Sequence, residues 1–184
     1  MMILENACEF KEYLGFVFNE MGFNGSFEVT NNDIHLNIIP KDNQATPTKE
    51  QVLEKLKEIA LKTKKQEIES KINAICKEKI IKGFKSEVLG SLHAYDLTLE
   101  DQANLQALVI MGIDSLFRCA EATNGVTGNK TYKKHTKEQL KNLAQQALKF
   151  KQDLIVFYGR EKERLNAINI LEELEKFVIK EYLT

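Results

Sequence analysis

Thr98-Leu99-Glu100-Asp101-Gln102-Ala103-Asn104-Leu105 opens the stretch that decides the fold, and residues 98–122 read TLEDQANLQALVIMGIDSLFRCAEA. Leu105, Leu108, Val109, Gly112 and Leu116 recur at the three-and-four spacing of one helical face, which predicts a helix from Leu99 to about Ala122. Thr98 supplies its cap, and Glu100 and Asp101 place negative charge in the first turn, where it complements the helix dipole. Upstream, Gly83–Leu97 has two glycines and no sustained period, and reads as an ordered connector with room for a short strand or turn. Downstream, Asn124-Gly125 and Gly128-Asn129 mark a loop or tight hairpin, and Thr131 to His135 a short extended piece. Thr136 with Gln139 forms a capping box, after which a helical pattern runs to Tyr182 and changes register near Gly159. Such a helix either bends at Gly159 or projects and pairs with another chain as a coiled coil.

The amino-terminal part reads differently. Phe10, Tyr13, Leu14, Val17 and Met21 predict an amphipathic helix over residues 5–22. Phe27 to Thr30, the turn Asn31-Asn32-Asp33, and Ile34 to Ile39 predict a β-hairpin, with Ile34, Leu36 and Ile38 on one face. Residues 40–48 are polar with two prolines, and Thr48 with Gln51 caps a helix that runs to about Lys82. The expected fold is therefore mainly α: a small α+β unit (helix plus β-hairpin) followed by an antiparallel helical domain with long helices. The expected boundaries are a head over 1–40, a linker over 41–48 and a helical domain over 49–184.

Composition narrows the function. The chain has 184 residues, 26 Lys plus Arg, 27 Asp plus Glu, three Cys and no Trp. A net charge of −1 argues against an overall basic nucleic-acid binder. Charge is nonetheless uneven: residues 1–47 hold two Lys and seven acids, residues 48–90 eleven Lys and seven acids. Solvated helix faces account for most of this. No signal peptide or membrane span is expected, because the first 20 residues lack the charged-then-apolar pattern and no window is apolar enough to cross a bilayer. Cys8, Cys76 and Cys119 fit reduced thiols of a cytosolic protein.

Ordered blocks in the middle of the chain carry a family likeness. They are Gly83-Phe84-Lys85-Ser86, Leu89-Gly90-Ser91-Leu92-His93-Ala94-Tyr95-Asp96, Asp101-Gln102-Ala103-Asn104-Leu105, Phe117-Arg118-Cys119 and His135-Thr136-Lys137-Glu138-Gln139-Leu140. Over about residues 72–154 the chain resembles a domain-of-unknown-function family of tailed-phage and prophage proteins associated with tail fibres. It departs from the family pattern in having Tyr132, and no Trp, ahead of the His-Thr pair. The resemblance implies phage tail biology and assigns no chemistry.

The same blocks gather His93, Tyr95, Asp96, Asp101, Gln102 and Asn104 within twelve residues, with His135 and Thr136 at the next helix entry. His93, Asp96 and His135 are suitable metal ligand types, but no pair has a recognised ligand spacing. Cys119 with His135 offers a nucleophile and a base without an evident orienting group. A structural polar cluster is the favoured reading: Asp96 or Thr98 capping the helix, Gln102 and Asn104 holding the connector's backbone, Tyr95 burying its ring, and Thr136 capping the last helix. No catalytic residue, metal or cofactor is expected.

The expected function is a non-catalytic phage or prophage tail-associated protein, either a fibre component or a tail-fibre assembly factor, acting through protein–protein contacts. The expected partners are a tail or fibre protein and a second copy of the chain, with no nucleic acid and no membrane. The expected location is the cytoplasm during assembly, with retention in the virion left open. The competing readings are a metal-dependent enzyme built on His93, Asp96 and His135, and a generic bacterial coiled-coil adaptor.

Overall fold

The computed structural model describes residues 1–40, 45–123 and 126–183. The chain divides into two compact units, one of Met1–Glu69 with Leu165–Val178 and one of Ser70–Arg164 with Ile179–Thr184. Residues 41–44 of the expected linker and the Asn124-Gly125 turn lie outside the described residues.

In the first unit, β1 (Met2–Leu4) leads into a 3-10 helix (Cys8–Tyr13) and α1 (Leu14–Glu20), followed by β2 (Phe23–Thr30) and β3 (Asp33–Pro40). The strands form an antiparallel sheet in the order β1-β3-β2. Asn31 and Asn32, at φ 52° and 71°, make the tight two-residue turn of the hairpin. Asparagine is among the few residues that tolerate this left-handed backbone, which matches the twist of the flanking strands. Asn6 donates its backbone N–H to Asp33 Oδ1 at 2.8 Å, tying the end of β1 to the turn. Ile34 and Leu36 alternate into a core with Leu4, Leu14 and Val17. That core is completed by Val52, Leu56 and Ile59 from the start of α2 (Lys49–Lys82), with Leu171 of the short α5 (Leu171–Leu174) packed against it. Thr48 and Gln51 make the reciprocal cap of α2, with Thr48 N–H donating to Gln51 Oε1 at 2.8 Å and Gln51 N–H to Thr48 Oγ1 at 3.3 Å.

The second unit holds β4 (Phe84–Ser86), β5 (His93–Tyr95), α3 (Leu99–Met111), β6 (Ser115–Thr123), β7 (Val126–Thr127), β8 (Thr131–His135) and α4 (Lys137–Asn166). The strands form a five-stranded sheet in the order β4-β5-β6-β7, with β8 also pairing β6, and every pairing is antiparallel. Its core joins Tyr95 and Leu97 to Leu105 of α3, Phe117 and Cys119 of β6, and Leu140, Leu143 and Ala147 of α4.

The expectation of a mainly α chain with a single small β unit is therefore overturned. The protein is a mixed α and β fold, with two antiparallel sheets among the described residues. The misreading centres on residues 112–122. Gly112 takes φ 62° and caps α3 in the left-handed conformation, which turns the chain out of the helix. The chain then enters β6, with Phe117 and Cys119 buried on one face and Leu116 and Arg118 exposed on the other. The connector over Gly83–Leu97 likewise contains two strands of three residues each, too short to show a period. The final helical pattern stops at Asn166, runs through Gly159 without interruption, and does not continue to Tyr182. Glu161, which disturbs the apolar pattern, is buried: it accepts the Lys180 backbone N–H at 3.0 Å and pairs with Arg164. Among the described residues no helix is long and apolar enough to cross a membrane.

Candidate functional site

The polar block that stands out in the sequence is divided by the second sheet. Residues two apart on a strand share a face, so β5 turns both His93 and Tyr95 inward, where they meet Cys119 of β6 and His135 at the end of β8. The Tyr95 hydroxyl donates to His135 Nε2 at 2.9 Å, and His135 Nδ1 donates to the Lys133 carbonyl at 2.8 Å. The carbonyl can only accept, which fixes the tautomer: the proton sits on Nδ1 and the Nε2 lone pair receives the phenol. The Cys119 thiol hydrogen-bonds the same hydroxyl. Phe117 and Tyr95 both set their rings edge-on to the imidazole, at centroid distances of 6.2 and 5.8 Å. Burial holds His135 below the ordinary histidine range and pushes the Tyr95 hydroxyl and the Cys119 thiol to higher pKa, so all three stay neutral. His93 Nδ1 donates to the Ser91 carbonyl at 2.8 Å, and its Nε2 is buried with no hydrogen-bond partner among the described residues.

The next residues along the chain part: Asp96, Thr98, Asp101 and Asn104 emerge toward the outer side of β6 and β8, and Gln102 turns toward α4. Asp96 forms an ion pair with Lys130. Thr98 and Asp101 make a reciprocal cap, each donating its backbone N–H to the other's side chain at 3.2 Å. Gln102 holds the connector, donating Nε2–H to the Leu97 carbonyl at 2.8 Å and accepting from Lys151 Nζ at 2.7 Å. Asn104 is exposed on the wall of a cleft between α3 and the outer face of β6 and β8. Thr136 and Gln139 cap α4 as Thr48 and Gln51 cap α2.

That cleft has a volume of about 590 Å³. Asp101, Asn104 and Met111 lie along the α3 wall, with Leu116, Arg118 and Tyr132 on the strand wall and Asp96 at the end of β5. Met111, Leu116 and Tyr132 are 68%, 59% and 69% exposed. Sequence reasoning missed these residues. The strand alternation of Leu116 and Arg118 against Phe117 and Cys119 was the available signal, hidden because the same residues fit a helical period.

The geometry decides between chemistries. His93 and His135 lie on the buried face and Asp96 pairs with Lys130 on the other, so these three do not form a ligand set. Among the described residues no group of three or more His, Cys, Asp and Glu side chains could hold a metal ion. Cys119 and His135 are connected, but through the Tyr95 hydroxyl and inside the core. A buried thiol with a raised pKa has little thiolate at neutral pH and no path to a substrate, which makes it a weak nucleophile.

No curated protein and no solved structure matches the chain. A family model described as "Domain of unknown function (DUF4376)" matches residues 62–179, which take in all of the second sheet and the cleft. With well over half of its length matched, the chain belongs to the DUF4376 family.

Proposed function

We propose that this protein is a non-catalytic, tail-associated protein of a phage or prophage, a fibre component or an assembly factor for the fibre, working through protein–protein contacts. The phage assignment rests on the ordered sequence blocks between Gly83 and Leu140. The non-catalytic assignment rests on one observation: the side chains best suited to chemistry, Cys119, His135 and Tyr95, are buried and bonded to one another. The surface instead offers contact area. The α3–β6–β8 cleft combines three exposed large apolar side chains with acids on one wall and Arg118 on the other. An apolar floor with a polar rim is the general anatomy of a protein-binding patch.

The test begins with the gene neighbourhood and continues with the fibre protein encoded beside this chain. Co-expression should give a complex that purifies intact. Met111→Asp and Leu116→Asp, both at exposed positions, should weaken it about tenfold or more without changing the circular dichroism. Neighbouring genes unrelated to tails, or a fibre protein that never associates, would defeat the assignment.

A further inference from the structure

We propose that β2 is a dimerisation edge, which pairs antiparallel with β2 of a second copy to make a continuous six-stranded sheet. This inference is independent of the cleft and of the tail assignment. The sheet order β1-β3-β2 leaves β2 at the edge, and all of its eight residues except Phe23 are exposed. Such a strand is about 26 Å long at ~3.3 Å per residue.

The turn fixes which backbone groups are free. Thr30 and Asp33 close the two-residue Asn31-Asn32 turn, so they form a hydrogen-bonded pair. Hydrogen-bonded and non-hydrogen-bonded pairs alternate along an antiparallel ladder. Glu28, Ser26 and Asn24 therefore bond to β3, while the N–H and C=O of Phe23, Gly25, Phe27 and Val29 point to the open edge. The side chains of Phe27 and Val29 are in register with Leu36 and Ile34, the fully buried residues of β3. They thus lie on the core-facing side, yet remain 41% and 39% exposed. The helical layer stops short of the edge, and whatever completes it must bring both an extended backbone and apolar side chains on that side.

A second copy supplies both. A two-fold axis perpendicular to the sheet keeps the core-facing sides together, so Phe27 and Val29 of the two copies meet on one face. With the axis through Ser26, Phe27 lies opposite Gly25 of the other copy and Glu28 opposite Asn24. With the axis through Phe27, Glu28 lies opposite Ser26. Both registers join the free backbone groups, and neither sets the only charge of the strand against itself. β2 also lacks Lys, Arg and Pro, the residues that blunt an edge against strand addition.

Sedimentation velocity on the full chain tests this. The wild type should sediment at twice the 21.1 kDa chain mass across the micromolar range. Phe27→Lys and Val29→Lys should each weaken the dimer about tenfold or more, because a charge desolvated against its own copy costs at least that much. Ile155→Lys, at an exposed position of α4, should leave it intact. Amide exchange on the wild type needs no folded variant: the N–H groups of Gly25, Phe27 and Val29 should be protected in the dimer and released on dilution. Those of Ser26 and Glu28 should stay slow in both states. A monomeric wild type would overturn the proposal and leave the edge to a foreign strand. A dimer that survives both lysines, or one whose Gly25, Phe27 and Val29 amides exchange freely, would overturn it as well.

Discussion

The two sheets treat their edges in opposite ways. In the first unit, β2 presents eight residues, Phe-Asn-Gly-Ser-Phe-Glu-Val-Thr, with a single charge and two uncovered apolar side chains on its core-facing side. In the second unit one edge, β4, is only three residues long and carries Lys85. The other is made by the two-residue β7 and by β8, Thr-Tyr-Lys-Lys-His, where Lys133 pairs with Glu121 of the neighbouring strand. Short or lysine-bearing edges resist the addition of another strand. In the second unit, Met111, Leu116 and Tyr132 bring exposed apolar surface together in the α3–β6–β8 cleft. One unit is thus suited to pairing by backbone, the other to docking by side chains, and each mode can be broken separately.

The largest effect is expected at Gly83, where α2 passes into β4. Gly83 has φ +79°, and a Cβ built there would stand 1.7 Å from the Tyr95 carbonyl oxygen on the neighbouring strand. Backbone on backbone cannot give way as a flexible side chain can. Gly83→Ala should cost about 3 kcal/mol or more, combining the left-handed strain with the clash. Gly90 has nearly the same φ, +82°, but open space around it. Gly90→Ala should cost only the backbone term, about 1–2 kcal/mol. Denaturant unfolding measures both. Residue-resolved amide exchange adds whether the Gly83 loss is confined to β4 and β5 or reaches the β2–β3 hairpin. Equal costs at the two glycines would show that the close approach to Tyr95 is not what the position demands.

The same contrast explains what the sequence revealed. The β2–β3 hairpin was legible because Ile34, Leu36 and Ile38 alternate cleanly beside an Asn-Asn turn, although its first arm begins earlier than expected, at Phe23. All three capping boxes, at Thr48, Thr98 and Thr136, were legible as well, since each is a local bond between residues three apart. The second sheet was legible only in part: the extended piece Thr131–His135 is β8 and the connector holds the short strands it had room for, but β6 reads as helix. Leu105, Leu108, Val109, Gly112 and Leu116 keep a helical spacing across the boundary at Gly112, and β6 buries Ala120 and Ala122 as well as Phe117 and Cys119, so its alternation is blurred. Which side of a sheet a residue reaches depends on strand pairing, and pairing is long-range. Hence His93, Tyr95 and His135 could be grouped with Asp96, Asp101 and Asn104 by proximity in sequence, although the sheet parts them.

A middle-sized effect is expected from the buried network. Tyr95→Phe removes the donor to His135 Nε2 and leaves that lone pair buried without it, at a cost of about 1–3 kcal/mol. Acid should act on the same bond. Burial lowers the His135 pKa in the folded state, so below about 6.5 the unfolded chain takes up a proton that the native imidazole refuses. The stability due to neutral His135 is complete above that value and is lost as the pH falls from it toward the depressed native one. Urea midpoints measured from pH 7.5 downward should fall in that window, and His135→Gln should remove this part of the slope. An identical slope in the variant would place the acid sensitivity elsewhere.

The smallest effects separate two neighbours on α3. Thr98 and Asp101 exchange backbone N–H bonds with each other's side chains, and the Thr98 hydroxyl also donates to Asp101 Oδ2 at 2.7 Å. Losing such a cap costs about 1 kcal/mol, which is the expected effect of Thr98→Ala on thermal or urea unfolding. Asn104 has the same polar character one turn further on, but it stands exposed on the cleft wall, while Gln102 holds the Leu97 carbonyl. Asn104→Ala should therefore change stability by no more than about 0.5 kcal/mol. Its effect, if the cleft is a docking surface, belongs to the affinity for the proposed partner. A loss of stability equal to that of Thr98→Ala would instead make Asn104 part of the frame that holds the connector, and would shrink the candidate docking surface to the apolar side of the cleft.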